Sequence, residues 1–473
     1  MDALTSVLGV INDKLYSNVL IILLIGLGIY FTIRTRFVQF RLFGEMFRVI
    51  KDETSADKSG VSSFQAWTIS TASRVGTGNM AGVALAISTG GPGAVFWMWL
   101  IALIGGATSF IESTLAQVYK VKNGDTFRGG PSYYMEKALN AKWMAVLFSV
   151  LITVTYGLIF NAVQTNTITV AFKQSFGVNR LLLGIILAIV TALIIFGGLK
   201  RIANFTGIIV PFMAIIYVAV ALVTLIMNVT EIPNIIALIF ENAFGIKEIV
   251  GGGLGAAIMN GVKRGLFSNE AGMGSAPNAA ATANVSHPAK QGLVQTLSVF
   301  TDTLLICSAT AFMILISGEW VNSSISDGIN LTQNAMNTLI GSWGGPFVGL
   351  SILLFAFSSV VGNYYYGESN IQFHTNGKTL LNIYRVAVVL MVIFGAVIAV
   401  PVVWSLADLF MALMAITNLV AITLLGKIAY AVLKDYMDQK KQGKDPVFRA
   451  SSIPWLKNVE CWGDPKKETQ AKE

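Results

Sequence analysis

The sequence predicts an all-α integral membrane protein of eleven transmembrane helices, built as two inverted five-helix repeats behind one extra N-terminal helix. Three observations predict this. Apolar residues make up 54% of the 473 positions and charged residues only 12%, about half the charged share of a soluble domain. Apolar stretches long enough to cross a bilayer recur along the whole chain. Two of them are interrupted by Gly-x-Gly, at Gly76-Thr77-Gly78-Asn79 and again at Gly272-Met273-Gly274-Ser275. Irregular backbone survives in a membrane only where protein buries it or a cavity hydrates it. Matched interruptions in two halves of a chain therefore point to a transporter binding site. Glycines two apart fall on different helix faces, which argues against a simple close-packing seam.

In chain order, residues 15–33 form a charge-free span. The segment after it is basic, with Arg34, Arg36, Arg41, Arg48, Lys51 and Lys58, and its Phe37, Phe40, Phe43 and Phe47 recur at helical spacing. Part of it is expected to lie in the membrane interface. Glu112 is the only charge between Val75 and Tyr119, and Gly90-Gly91-Pro92-Gly93 makes a turn in the middle. That divides the stretch into spans at 64–89 and 94–119. A polar loop at 120–142 carries Arg128-Gly129-Gly130-Pro131, which should precede a short helix. Residues 143–172 are charge-free and roughly 45 Å long if helical, so that span must tilt or protrude. Spans at 181–199 and 203–227, the latter with Pro211, complete the first set of five. Residues 228–248 are polar enough to be external. The second set comprises 249–283, with the second break, then 291–317, 344–373, 380–400 and 404–425.

Charge fixes an orientation. With the N-terminus outside, external segments hold only Lys14, Lys173, Arg180 and Lys247, while most other Lys and Arg face the cytoplasm. This is the positive-inside pattern, and it places the basic tail after Lys427 in the cytoplasm as a plain solvated end without a folded domain. The net charge of +8 is thus explained by topology and calls for no nucleic acid. Cys307 and Cys461 suggest no disulfide, and His287 and His374 lack the spacing of metal ligands. The N-terminus, with Asp2 and Asp13, does not resemble a signal peptide. Because each set contains an odd number of spans, the second enters the membrane from the opposite side. The resulting division is residues 1–60, the extra helix and a basic loop; 61–228, the first repeat; 229–426, an external segment and the second repeat; and 427–473, the tail.

Several longer runs carry a family resemblance: Gly261-Val-Lys-Arg-Gly-Leu-Phe-Ser-Asn-Glu-Ala-Gly-Met-Gly-Ser-Ala-Pro277, Gly91-Pro-Gly-Ala-Val-Phe-Trp-Met-Trp99, His287-Pro-Ala-Lys-Gln-Gly292, Arg128-Gly-Gly-Pro-Ser-Tyr-Tyr134, Phe355-Ala-Phe-Ser-Ser359 and Tyr365-Tyr-Gly-Glu368. From about residue 15 to 430 the chain resembles the alanine-or-glycine:cation symporter family, in the subgroup linked to alanine and glutamine. The resemblance implies a LeuT-like fold of ten core helices plus one. It also implies sodium-coupled uptake of small neutral amino acids, such as alanine and glycine with glutamine as a candidate, across the cell membrane. Sodium is then the co-transported ion. The small amino acid and the lipid bilayer are the expected partners, and no obligatory protein partner is evident.

A zwitterion needs donors for its carboxylate and acceptors for its ammonium. The break at Gly76, Thr77, Gly78 and Asn79 frees backbone N–H groups at a half-helix start, which favours an anion. Glycine permits close approach of the ligand to the backbone. In the second break Phe267, Gly272 and Met273 can wall the pocket, while carbonyls from Ser268 to Ala271 can take the ammonium. Asn161 and Gln164 share a helix face and either line the pocket or hydrogen-bond between helices. Analogy with the LeuT-like fold puts sodium among the carbonyls of Ala72, Val75 and Phe355 and the hydroxyls of Ser358 and Ser359. Adjacent serines can equally bond back to their own helix. Where the family usually has tryptophan, this chain has Asn363, one turn after Ser359, which either enlarges the pocket or hydrogen-bonds a neighbouring helix and leaves the pocket small.

Glu112, Glu270, Asp302, Glu368 and Asp408 are charges expected at membrane depth, with Arg74, Lys263 and Arg264 as candidate partners. Glu270 can cap the broken helix or form a gating ion pair; it could also carry protons, so a proton-coupled symporter of the same fold is the alternative to sodium coupling. A channel is a further alternative, although channels usually repeat a pore element around an axis between subunits. No catalytic triad, metal cluster or phosphate loop suggests an enzyme.

Overall fold

The computed structural model describes residues 2–52, 60–245, 253–322, 328–375 and 377–463. The first positions of the predicted span 249–283, together with Lys58, Lys247 and the last stretch of the tail, lie outside the described residues.

Helix α1 (Ser6–Arg34) is followed, after a tight turn with Arg36 and Phe37 at φ 55° and 57°, by α2 (Phe43–Ile50). Phe37, Phe40, Phe43 and Phe47 stay about half exposed while Met46 and Val49 are buried, the amphipathic pattern of an interfacial helix. Glu45 of α2 is desolvated, yet hydrogen bonds from Arg48, Lys440 and Tyr436 outweigh that and hold its carboxyl at about 2. Helix α3 (Ser63–Arg74) begins with a capping box between Ser62 and Gln65. It stops at Val75, which is extended, and the chain resumes through a π turn at Gly78–Gly82 into α4 (Val83–Gly90). Then come α5 (Ala94–Val118), a hairpin of β1 (Val121–Asn123) and β2 (Thr126–Arg128), and α6 (Pro131–Leu139), whose proline is at the helix start. The hairpin departs from the all-helical expectation. Its signal was Asn123-Gly124, with Gly124 at φ 58°.

Helices α7 (Lys142–Phe176), α8 (Arg180–Ile195) and α9 (Gly198–Met227) complete the first half. Gly177 in the left-handed region ends α7, and the Asn179 side chain caps α8. The expected external loop at 228–248 contains a helix, α10 (Ile232–Ala243), which buries Ile235 and Ile239 and receives the Trp97 indole N–H on the Ala243 carbonyl. The second broken helix is α11 (Gly253–Asn269) and α12 (Ala276–Ala280). It is followed by α13 (Pro288–Ser317), a further helix α14 (Ile329–Ile340), α15 (Gly344–His374), α16 (Lys378–Val397) and α17 (Val400–Lys441).

Among the described residues eight helices are long and apolar enough to cross a membrane, and the shorter apolar α8 and the two broken helices fall on the remaining predicted spans. Packing pairs the two halves: α5 lies on α13, α7 on α15 and α8 on α16. The broken helices contact α5 and α13, and α3 also packs on α9 and α15; α7, α8, α15 and α16 pack on one another. The expectation of a free tail is corrected. Phe448 N–H donates to Ser286 O at 2.8 Å, and the Trp462 indole donates to Gln117 O at 2.8 Å. Burial of these two aromatic rings, 5.5 Å apart, outweighs the polarity around them and docks the described part of the tail on the helical core.

Candidate functional site

The two breaks meet in the middle of the molecule. At the first, Val75 has ψ 91°, which turns the backbone out of the helix and leaves the following amides without a carbonyl one turn back. Side-chain oxygens occupy two of them. Gly76 N–H donates to Asn79 Oδ1 at 2.8 Å, and Thr77 N–H to Gln164 Oε1 at 2.9 Å. Gln164 is thus brought to the break. Asn161 instead donates to Gly157 O of its own helix at 3.0 Å, and its carbonyl oxygen is buried without a partner.

The sodium expectation divides in two. The Ser359 hydroxyl lies 2.8 Å from Ala72 O, 3.3 Å from Val75 O and 3.1 Å from Phe355 O. Four of the five anticipated oxygens therefore converge where the first helix unwinds. Ser358 meets only one of them: its hydroxyl bonds back to Phe355 O at 2.8 Å and lies 3.9 Å from the Met213 sulfur. Neutral hard oxygens suit a monovalent cation that must be released again.

The second break is built differently. Gly272 N–H and Gly274 N–H, both residues at positive φ, donate to the two oxygens of Glu112 at 3.2 and 3.1 Å. Asn418 adds a bond at 2.8 Å to the same carboxylate and is itself held by Tyr134. The protein's own anion fills this amide nest, so the expectation of Gly272 as pocket wall is corrected: its open side faces Thr108 and Leu419. Met273 touches the Tyr156 hydroxyl through sulfur at 4.0 Å. Phe267 sits between Phe160 and Trp404, each with ring centroids 4.8 Å away, and Gly78 backs onto Phe267 and Ser268.

Asp302 ties the two breaks together. Its carboxylate accepts from Asn79 Nδ2 at 2.7 Å and from the Ser268 and Thr303 hydroxyls at 2.8 Å. Glu270, at φ 59°, accepts from Ser275 at 2.7 Å, and the single hydroxyl proton of Ser73 is shared between Glu270 at 3.0 Å and Asn363 Oδ1 at 2.7 Å. Asn363 is therefore one bond from the start of the break, and its amide nitrogen is buried without a partner. Among the described residues Arg74 hydrogen-bonds neutral groups, Gln295 and Ser109, at 3.4–3.5 Å. Of the candidate pairs, Arg264 meets Asp408 at 2.7 Å, with Lys263 at 3.6 Å from the same oxygen. The Arg264 guanidinium stacks 4.6 Å over Trp404, so this pair closes one end of the aromatic stack. Sequence reasoning singled out Glu112 and Asp302 as charges but not their partners, and Trp404 carried no signal.

Comparison with known proteins agrees with this architecture. Residues 1–450 match the model of the sodium:alanine symporter family. The amino-acid carrier protein AlsT of Bacillus subtilis is 58% identical over 446 residues, covering 94% of this chain and 95% of that protein. The probable sodium/glutamine symporter GlnT of the same organism is 54% identical over 473 residues, covering 99% of each. Among solved structures, MhsT in complex with L-phenylalanine superposes with a TM-score of 0.52 at 15% identity, over 80% of this chain and 98% of that one. At that identity the likeness shows the LeuT-like fold.

Proposed function

The chain belongs to the sodium:alanine symporter family, and from that premise we propose that it carries small neutral amino acids across the cell membrane by sodium-coupled symport. Alanine and glycine are the primary substrates and glutamine is a further one. The observation that carries the reading is the meeting of Ser359 Oγ with the carbonyls of Ala72, Val75 and Phe355 beside the Gly76–Asn79 break.

Sodium binds at Ala72, Val75, Phe355 and Ser359, with Ser358 in the surrounding shell, and fixes the unwound backbone. The substrate carboxylate then displaces the side-chain oxygens from the amides of Gly76 and Thr77, with Gly78, Asn79 and Gln164 around it. Phe267, Ser268 and Met273 close over the ligand, and Asn161 and Asn363 offer amide groups to its side chain. Each ligand tightens the other by the same factor. The bundle holding both broken helices moves against α7, α8, α15 and α16, in the division of residues 61–228 and 229–426 as repeats. The chain crosses eleven times with the N-terminus outside and the tail, residues 427–473, in the cytoplasm. A single chain carries the whole path without an obligatory protein partner.

The test is uptake of labelled alanine into proteoliposomes. An inward sodium gradient should concentrate the label above equilibrium, and removing the gradient should abolish accumulation. Mere equilibration would mean a channel. Accumulation driven by a proton gradient without sodium would transfer the coupling to an acid such as Glu270.

A further inference from the structure

We propose that a basic groove between the end of α1 and the last turns of α17 is a binding site for the phosphodiester of an anionic phospholipid. The groove has a volume of about 290 Å³ and is lined by Arg34, Thr35, Arg36 and Arg41 on one side and by a stripe of α17 from Tyr430 to Lys441 on the other. Five of its residues are cationic: Arg34, Arg36, Arg41, Lys434 and Lys441. Asp438 is the sole acidic lining residue, and it pairs with Lys441 at 3.7 Å. Among the described residues no carboxylate lies within ion-pair distance of Arg34, Arg36, Arg41 or Lys434. Such convergence of like charge is self-repulsive unless an anion enters.

The geometry fits a phosphate on a lipid. Three of the cations are arginines, whose planar forks match phosphate oxygens. The Arg34 guanidinium is held 5.1 Å over the Tyr430 ring, which limits its rotamers. The Thr35 carbonyl, at the negative end of α1, is covered by the Arg41 Nη2 donor at 3.3 Å, so it does not repel the ligand unscreened. Leu433 and Met437 give the groove an apolar floor between the charges. Beside it, Tyr30, Ile33, Phe37 and Phe40 stand 43, 59, 53 and 49% exposed. A headgroup in the groove would lay its acyl chains along that flank. A soluble anion would make no use of it. Basic pockets at the membrane surface between helices bind acidic headgroups in this way.

Native mass spectrometry of the purified full chain in detergent tests the site, with phosphatidylglycerol and phosphatidylcholine as probes. The wild type should retain one phosphatidylglycerol and release phosphatidylcholine. Arg36→Gln/Arg41→Gln/Lys434→Gln should weaken phosphatidylglycerol binding about tenfold or more, while Lys142→Gln/Lys173→Gln/Lys457→Gln, which removes the same charge elsewhere, should not. Thermal unfolding of both variants checks that they fold, and Lys434→Gln alone should give a smaller loss in the same direction. Equal retention by the groove variants and wild type would overturn the proposal, as would equal retention of phosphatidylcholine. Displacement of the lipid by millimolar inorganic phosphate would overturn the lipid assignment and leave a small-anion site.

Discussion

The Ser359 hydroxyl donates to the carbonyl oxygen of Ala72 at 2.8 Å across 287 positions of sequence. This bond joins α15 to the first break and places one oxygen among three carbonyls. Ser359→Ala should therefore raise the sodium concentration for half-maximal uptake about tenfold, the loss of one polar contact worth roughly 1–1.5 kcal/mol. Ser358→Ala should change it much less, because that hydroxyl faces Phe355 O and Met213. Sodium titrations of uptake for the two variants decide it. No effect of Ser359→Ala would remove Ser359 from the ion site, and an equal effect of Ser358→Ala would add Ser358 to it.

The glycines of the first break are held by contact as much as by conformation. A Cβ at Gly76 would collide with Ser359 Oγ and stand 2.8 Å from Gln164 Oε1, and one at Gly78 would stand 3.1 Å from Phe267 and Ser268. Gly76→Ala and Gly78→Val should each abolish substrate binding in equilibrium binding of labelled alanine. In the wild type an alkylamine without a carboxylate should fail to compete. Competition at comparable strength would show that the Gly76 and Thr77 amides do not receive an anion.

How far the sequence reached follows from what each signal encodes. Hydropathy marks every long apolar helix, and the glycine pairs mark both breaks, because bilayer thickness and backbone strain act on local sequence. Ser359 and Gln164 were nameable as polar residues in apolar spans. The Glu112 seat in the second break was not, since nothing local pairs position 112 with 272 and 274. The same holds for Asp302, whose partners Asn79 and Ser268 come from two other helices. Helices α10 and α14 were missed because they are short and amphipathic, below the length that hydropathy detects. The docked tail was missed because Phe448 and Trp462 are isolated aromatics in a polar segment.

Glu112 presents two oxygens to three N–H donors, from Gly272, Gly274 and Asn418. Glu112→Gln keeps the shape but turns an amide donor toward one of them. Leaving such a buried group unsatisfied costs about 1–3 kcal/mol. The variant should unfold at lower temperature in detergent and should lose uptake through a lower maximal rate. Wild-type stability would show that the carboxylate is not what orders the second break.

Lys120 is buried, and its ammonium donates to Ala283 O at 2.8 Å while facing the rings of Phe127 and Trp462 at 4.2 and 4.8 Å. Burial pushes it down to about 7, opposed slightly by Cys461. In the unfolded chain the group stays protonated to about 10.4. Between those values the unfolded state binds more protons, so the packed state gains stability as pH rises and loses it as pH falls through about 7. Hydrogen exchange around Phe448 and Trp462, corrected for its intrinsic pH dependence, should show protection rising by up to about tenfold per pH unit from 7 to 9. Lys120→Met should flatten that rise. An unchanged slope in the variant would place the titration elsewhere.

We propose that Asn363 sets substrate size. Its Oδ1 accepts from Ser73 at 2.7 Å, and Ser73 in turn reaches Glu270, so the side chain is oriented by the start of the first break. Its amide nitrogen is buried with no partner, and an unmet buried donor costs free energy until a ligand supplies an acceptor. Alanine and glycine bring no side-chain acceptor, whereas glutamine brings a carboxamide oxygen. Asn363→Trp should fill the space and cut sodium-driven glutamine uptake about tenfold more than alanine uptake, since one well-placed hydrogen bond and the room for it are both lost. An indole also burdens the packing, so Asn363→Leu, of similar size but without donors, separates the causes. It should spare alanine and still lower glutamine uptake. Uptake of both labelled amino acids into proteoliposomes reads the difference. Parallel loss of both substrates in the leucine variant, or a wild type indifferent to glutamine, would assign Asn363 to holding Ser73 alone.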